Sequence, residues 1–253
     1  MEINRIFGQS SHHVLVAGHR GIRACCPENT MPSFRMAIEL GVDIIEMDVN
    51  LSSDGVPVVI HDRKLDRTTN AIGYVSSKTF RELRQLDAGV RFNGVFPDCR
   101  IPSLEEFLAL ASQQPKLLLN VEIKEKTAEC MDKTVAQLRS FGLQDRCVIA
   151  CFDAAILRYV ARKHHLLTQG FPESYMANFD ADTYGCMYAA GIDLSDLSPA
   201  LCEEMLGRGI DPWSYCPDTD EGVYQAIRCK TAVMTCNDPR PALRILREQG
   251  LHE

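Results

Sequence analysis

A chain of 253 residues, 45% hydrophobic and 24% charged, has an ordinary globular composition, and its length suits one α/β barrel of about 250 residues. The formal net charge of −7 supplies no dense basic face for duplex nucleic acid, although a local group of Arg, Lys and metal can still receive an anionic substrate. The N-terminal stretch shows no basic segment followed by an apolar run. No segment nears the roughly 18 consecutive apolar residues of a membrane span, so a cytoplasmic protein without a span is expected. The eleven cysteines are odd in number, lie mostly within apolar runs and lack paired CxxC spacing, and so read as reduced thiols.

In chain order, apolar runs predict strands at Val14–Ala17, Val42–Met47, Val56–Ile60, Leu117–Ile123, Val148–Cys151, Leu166–Gln169, Ile210–Tyr215 and Ala232–Thr235. Helical spacing predicts Met31–Leu40 after an Asn29-Thr30 cap with Pro32 in the first turn. It also predicts Ala128–Phe141 before Gly142, Ala154–Lys163 after Asp153, and Pro241–Gln249 before Gly250. Strand and helix alternating without a break imply a parallel sheet with helices outside it. With no GxGxxG turn or P-loop, the expected fold is a (β/α)₈ TIM barrel forming one catalytic domain over residues 1–253. Asp66–Leu104 breaks the alternation and reads as an insertion on the barrel; Phe171–Ser195 is irregular, and no strand is placed in it.

Barrel chemistry sits at the C-terminal ends of the strands. The first predicted strand runs into His19 and Arg20. The second carries Glu46 and Asp48 two residues apart, hence on one face. Val56–Ile60 runs into His61-Asp62, and the next strand carries Glu122 and Lys124, again two apart. Carboxylates flanked by apolar residues on a strand buried on both faces are costly unless they bind a cation. Glu46, Asp48 and Glu122 therefore form a candidate site for one divalent cation, Mg²⁺ or Ca²⁺, which prefer hard oxygen ligands. His19 and His61 beside it read as an acid/base pair, and the forked donors of Arg20 suit a phosphate.

The succession His19-Arg20-Gly21, Glu28-Asn29-Thr30, Glu46-Met47-Asp48, Asp54-Gly55 and His61-Asp62 resembles the glycerophosphodiester phosphodiesterase family. The likeness continues through Leu65–Asn70, Leu86–Gly89, Ile101–Glu106, Asn120–Lys124 and Met234–Pro239, and spans about Val14 to Leu246. It implies a barrel with a small insertion after the second strand, metal at Glu46, Asp48 and Glu122, and acid/base catalysis by His19 and His61. It further implies phosphate contacts from Arg20 and Lys124, a supporting hydrogen-bond role for Glu28, and a Trp213 wall against the glycerol. One departure stands out: the usual Trp-Thr-Val-Asn element is here Trp213-Ser214-Tyr215-Cys216.

The reaction so implied is metal-dependent hydrolysis of a small-molecule glycerophosphodiester to glycerol 3-phosphate and an alcohol, by a monomer or homodimer. A lysophospholipase D-like or sphingomyelinase D-like phosphodiesterase would use the same residues. A non-catalytic phosphate-binding barrel would be marked by loss of one histidine, and both are present.

Overall fold

In the computed structural model, which describes residues 13–92 and 94–252, the apolar runs pair into one closed sheet. Residues 1–12, most of the N-terminal stretch without a leader pattern, lie outside the described residues. The chain runs β1 (Leu15–Gly18), α1 (Met31–Leu40), β2 (Ile44–Leu51), β3 (Pro57–Val59), α2 (Phe80–Leu83), α3 (Leu104–Ser112) and β4 (Leu118–Ile123). It continues through α4 (Ala128–Ser140), β5 (Cys147–Ala150), α5 (Ala154–Tyr159), β6 (Leu167–Gly170) and β7 (Ala189–Asp193). The last elements are α6 (Pro199–Gly207), β8 (Asp211–Tyr215), α7 (Asp220–Arg228), β9 (Val233–Cys236) and α8 (Arg240–Glu248).

β1, β2 and β4 to β9 are parallel and close on themselves, because β1 pairs both with β9 (Leu15 opposite Val233) and with β2 (Ala17 opposite Ile44). This is the expected (β/α)₈ barrel, with one exchange among its strands. Pro57–Val59 pairs antiparallel with the end of β2 (Val49 opposite Val59) and lies outside the barrel. β7 takes the place in the barrel, inside the irregular segment Phe171–Ser195. Its sequence, Ala-Ala-Gly-Ile-Asp, lacks the run of large apolar residues by which buried strands are read. Small residues are what this strand requires: a Cβ on Gly191 would lie 2.4 Å from the Gln169 amide nitrogen and 2.7 Å from the Phe171 ring.

Side chains alternate along each strand, so the barrel interior is layered with a period of two residues. The lower layer is apolar: Ala17, Ile44, Leu118, Val148, Ala189, Trp213 and Val233 pack together inside the barrel. Two residues further along the same strands come His19, Glu46, Asn120, Ala150, Gly191, Tyr215 and Thr235. The outward faces carry the larger core against the helices, including Met47, Val49, Val121, Ile149 and Met234. Full burial of each such side chain stabilises the fold by roughly 1.5–3 kcal/mol.

Between β2 and α3 the chain builds β3 and α2 around a separate small core of Val58, Ile60, Leu65, Val75, Leu83 and Ile101. Capping boxes at Thr79 with Glu82 and at Ser103 with Glu106 start α2 and α3. Among the described residues no helix is long and apolar enough to cross a membrane.

The top of β1 leaves no room for a side chain: a Cβ on Gly18 would sit 2.3 Å from the Gly21 carbonyl oxygen. Gly18→Ala should therefore displace the His19–Gly21 turn and destabilise the protein by about 1–3 kcal/mol, as overpacking does. A urea denaturation midpoint equal to that of the parent would show that the turn has slack.

Candidate active site

The C-terminal mouth of the barrel opens into a pocket of about 560 Å³ whose lining includes His19, Arg20, Glu46, His61, Glu122 and Lys124. β2 and β4 lie in register with Asp48 opposite Glu122 and Glu46 opposite Asn120, which brings three carboxylates to one edge of the mouth. Candidate ligand oxygens of Glu46, Asp48 and Glu122 all lie within 4.8 Å of one another. Glu46 and Asp48 are buried.

Cationic and neutral donors surround these acids. The Arg20 backbone N–H donates to Glu46 Oε2 at 2.8 Å, and its guanidinium Nε lies 3.3 Å from Asp48 Oδ2. Lys124 Nζ is 3.2 Å from Asp48 Oδ1 and also pairs with Glu122. Asn29 Nδ2 donates to Asp48 Oδ2 at 2.7 Å, and the Asp48 N–H donates back to Asn29 Oδ1. Burial pushes the Asp48 pKa upward, but Lys124 and Arg20 outweigh it and hold the carboxyl below its usual value. Burial and the Asp48 charge push Glu46 well above the carboxylate range, and burial also raises Glu122 despite Lys124. Asp48 Oδ1 and Arg20 Nε are buried without a hydrogen bond of their own. Crowded oxygens, one of them unsatisfied, in a desolvated corner are the donor set that a hard divalent cation fits.

The two histidines flank this corner and are each oriented from behind. His19 Nδ1 donates to Asn237 Oδ1 at 2.7 Å, which leaves Nε2 facing Glu46 Oε2 at 3.8 Å. Asn237 is itself fixed by Asp218, which accepts from its backbone N–H and its Nδ2. His61 Nδ1 donates to Asp62 Oδ1 at 2.6 Å. Burial, then the Arg20 charge, lowers the His19 pKa to about 3; burial also lowers that of His61, against the pull of Asp48.

His61 reaches the mouth by a route that the strand pattern does not show. β3 doubles back along β2 and the Ile60 N–H donates to the Asp48 carbonyl, so the chain leaving β3 passes beside the acids. Arg20 reaches it from the β1–α1 loop in left-handed backbone (φ 54°).

The structure brings together His19, Arg20, Glu46, Asp48, His61, Glu122 and Lys124, and sets Glu28 at the edge. Glu28 accepts from Arg20 Nη1 at 2.7 Å and from Arg67 Nη2 at 2.7 Å. Burial pushes its pKa up, but Arg67 and Arg20 reverse this and bring it to about 2. Trp213 is placed elsewhere. It is 1% exposed in the apolar layer beneath the pocket, so it forms no wall for a ligand. Because side chains on β8 alternate with period two, Tyr215, two residues further along, faces the pocket instead.

Other residues contribute in ways the sequence pattern does not assign. Phe152 and Phe171, stacked with ring centroids 3.5 Å apart, line the pocket from the loops after β5 and β6. Asn29 positions Asp48, and Thr30 precedes α1 with its hydroxyl donating to the Pro27 carbonyl rather than capping the helix. Arg67 donates to both Glu28 and Asp62 and so links the supports of Arg20 and His61. Cys216 Sγ lies 3.5 Å from His19 Nδ1, with Asn237 as the ring's closer partner.

Comparison with known proteins is consistent with this geometry. The sequence profile of the glycerophosphoryl diester phosphodiesterase family matches residues 19–192. A glycerophosphodiester phosphodiesterase of Caldanaerobacter subterraneus subsp. tengcongensis is 32% identical over 247 residues, covering 93% of this chain and 99% of that one. One from Bacillus altitudinis is 39% identical over 140 residues, 54% of this chain and 57% of that one. The fold superimposes with a TM-score of 0.83 on an Oleispira antarctica phosphodiesterase solved with its product sn-glycerol-3-phosphate, at 23% identity and covering 92% of this chain and 96% of that one. With its histidines, arginine and acids inside the matched region, the chain belongs to the glycerophosphoryl diester phosphodiesterase family.

Proposed function

We propose that this protein hydrolyses glycerophosphodiesters to glycerol 3-phosphate and an alcohol, using one divalent cation, Mg²⁺ or Ca²⁺, held by Glu46, Asp48 and Glu122. The observation that carries the reading is the convergence of three carboxylates, two oriented histidines, Arg20 and Lys124 on one pocket. When bound, the cation neutralises charge on the phosphoryl group and polarises a coordinated oxygen. The phosphodiester is anionic and repels nucleophiles, so Arg20 and Lys124 bind its oxygens and screen that charge. One histidine takes the proton of the glycerol 2-hydroxyl, whose oxygen attacks phosphorus. The other gives a proton to the departing alcohol as the P–O bond breaks. Water then opens the cyclic phosphate with the two roles reversed.

Asn237 and Asp62 hold the rings so that each Nε2 is the atom free to exchange a proton. Tyr215, Phe152 and Phe171 supply the apolar side of the pocket and restrict water around the reacting centre. All eleven cysteines are free thiols, eight of them buried, which supports a cytoplasmic location.

Release of glycerol 3-phosphate from glycerophosphocholine or glycerophosphoethanolamine should need Mg²⁺ or Ca²⁺, stop in EDTA and be absent in Glu46→Ala. Undiminished release in EDTA would remove the metal from the reading. His19→Ala and His61→Ala should each lower kcat by on the order of 10²–10⁴ with the circular dichroism spectrum unchanged. Full activity in both variants would refute the acid/base assignment. A diester lacking the 2-hydroxyl should not turn over, and normal turnover would exclude the cyclic route.

A further inference from the structure

A second cleft, of about 610 Å³, lies outside the reaction pocket, against the segment that joins β2 to α3. Its lining includes Arg23, Glu28, Arg67, Thr68, Arg91 and Phe92, so three guanidinium groups face one carboxylate. Glu28 is the partition between the two cavities: it pairs with Arg20, which lines the reaction pocket, and with Arg67, which lines the cleft. Arg23 stands on the same β1–α1 loop as His19 and Arg20, which sets it at the junction.

These arginines differ in what they have left to offer. Arg67 is already committed to carboxylates, its Nε on Asp62 and both Nη atoms on Glu28. Arg91 donates Nε to the Arg67 carbonyl at 2.8 Å and Nη2 to the Asp66 carbonyl, and among the described residues it has no carboxylate partner. Arg23 pairs, among the described residues, with Glu28 alone at 3.8 Å, and its side chain is 35% exposed. Glu28 is already shared by Arg20 and Arg67 and cannot neutralise Arg23 and Arg91 as well. A cleft with two under-compensated guanidinium groups, a hydroxyl from Thr68 and the ring of Phe92 is built for a polyol that carries its own anion.

We propose that this cleft binds a phosphomonoester carried on the alcohol portion of the diester, so that the preferred substrates have a second, terminal phosphate on the leaving group. The proposal rests on the phosphodiesterase reading of the adjoining pocket. Arg23 and Arg91 are its specificity determinants. The acidic partition of Glu28, held between Arg20 and Arg67, keeps the terminal phosphate from occupying the reaction pocket in place of the scissile one.

The test compares a matched pair, glycerophosphoinositol 4-phosphate and glycerophosphoinositol, at fixed ionic strength. The wild-type protein should favour the phosphorylated diester by about tenfold or more in kcat/KM, mostly through KM, as two charge-assisted contacts imply. Arg23→Ala and Arg91→Ala together should bring the two diesters to within about twofold, while kcat/KM for glycerophosphoinositol stays near the wild-type value. Equal values for the pair in the wild-type protein, or a preference that survives the double substitution, would overturn the subsite. If Arg91 only clamps its loop, Arg91→Ala lowers both diesters alike and Arg23→Ala leaves the preference intact, which also overturns it. Turnover of neither diester would instead count against the phosphodiesterase reading. Calorimetric binding then decides the cleft: inositol 4-phosphate should bind more tightly than inositol and lose that advantage in the double variant, and equal binding overturns the proposal.

Discussion

The cost of desolvating three carboxylates at one edge of a barrel is the constraint on which the rest of this structure depends. Glu46 and Asp48 are almost wholly withdrawn from water, and Glu122 is largely so. Such groups are tolerated only where positive charge and directed donors surround them. The protein supplies these from two places: Arg20, through its guanidinium and its backbone N–H, with Asn29 from the β1–α1 loop, and Lys124 just after β4. The loop is shaped accordingly. Arg20 and Asn29 both adopt left-handed backbone, which is uncommon for residues with a side chain, and both face Asp48. Ser33 Oγ accepts from the Ile22 N–H and donates to the Arg20 carbonyl, tying the loop to the first turn of α1.

Around this centre the support is continuous. Arg20 leads to Glu28, Glu28 to Arg67, Arg67 to Asp62 and Asp62 to His61, each link a charged hydrogen bond of 2.6–2.7 Å. Arg67 is thus a positioning residue: it touches neither the pocket nor the acids, yet it fixes the partners of two residues that do. On the opposite side Asp218 holds Asn237, which orients His19. The cysteine at position 216, where the family pattern has asparagine, stands beside His19 at 3.5 Å, and the shorter bond from Asn237 carries the orientation. Burial, with Asp218 adding to it, pushes the Cys216 thiol up to about 12, so it remains protonated and serves as packing at this edge.

The layered barrel explains why the pocket is where it is and has the floor it has. Apolar side chains fill the lower interior, and the next inward position on each strand is the first that solvent or substrate can reach. Small residues there matter as much as functional ones. Ala150 and Gly191 occupy inward positions without filling them, which leaves room for Gln169, Phe152 and Phe171. Trp213 belongs to the buried layer for the same geometric reason that Tyr215 belongs to the pocket.

Much of this was legible in one dimension because its cause is local. Strand periodicity places Glu46 with Asp48 and Glu122 with Lys124 on common faces, and apolar flanks mark those carboxylates as buried. The ordered motifs from His19 to Asn237 identify the family. What stayed out of reach depends on register and on chain reversal, which no local pattern encodes. Ala189–Asp193 becomes a barrel strand because two neighbouring strands hydrogen-bond to it, although its own side chains are too small to signal burial. Pro57–Val59 looks like a barrel strand and is excluded because the barrel edge of β2 is already taken by β4 and β1, leaving only the projecting end for an antiparallel partner. The sequence alone determined which chemical groups are present and which strands carry the acids. Only the tertiary structure decided which aromatic ring faces the pocket, what orients each histidine, and that Arg23, Arg67 and Arg91 share a cleft, since these follow from contacts between residues far apart in the chain.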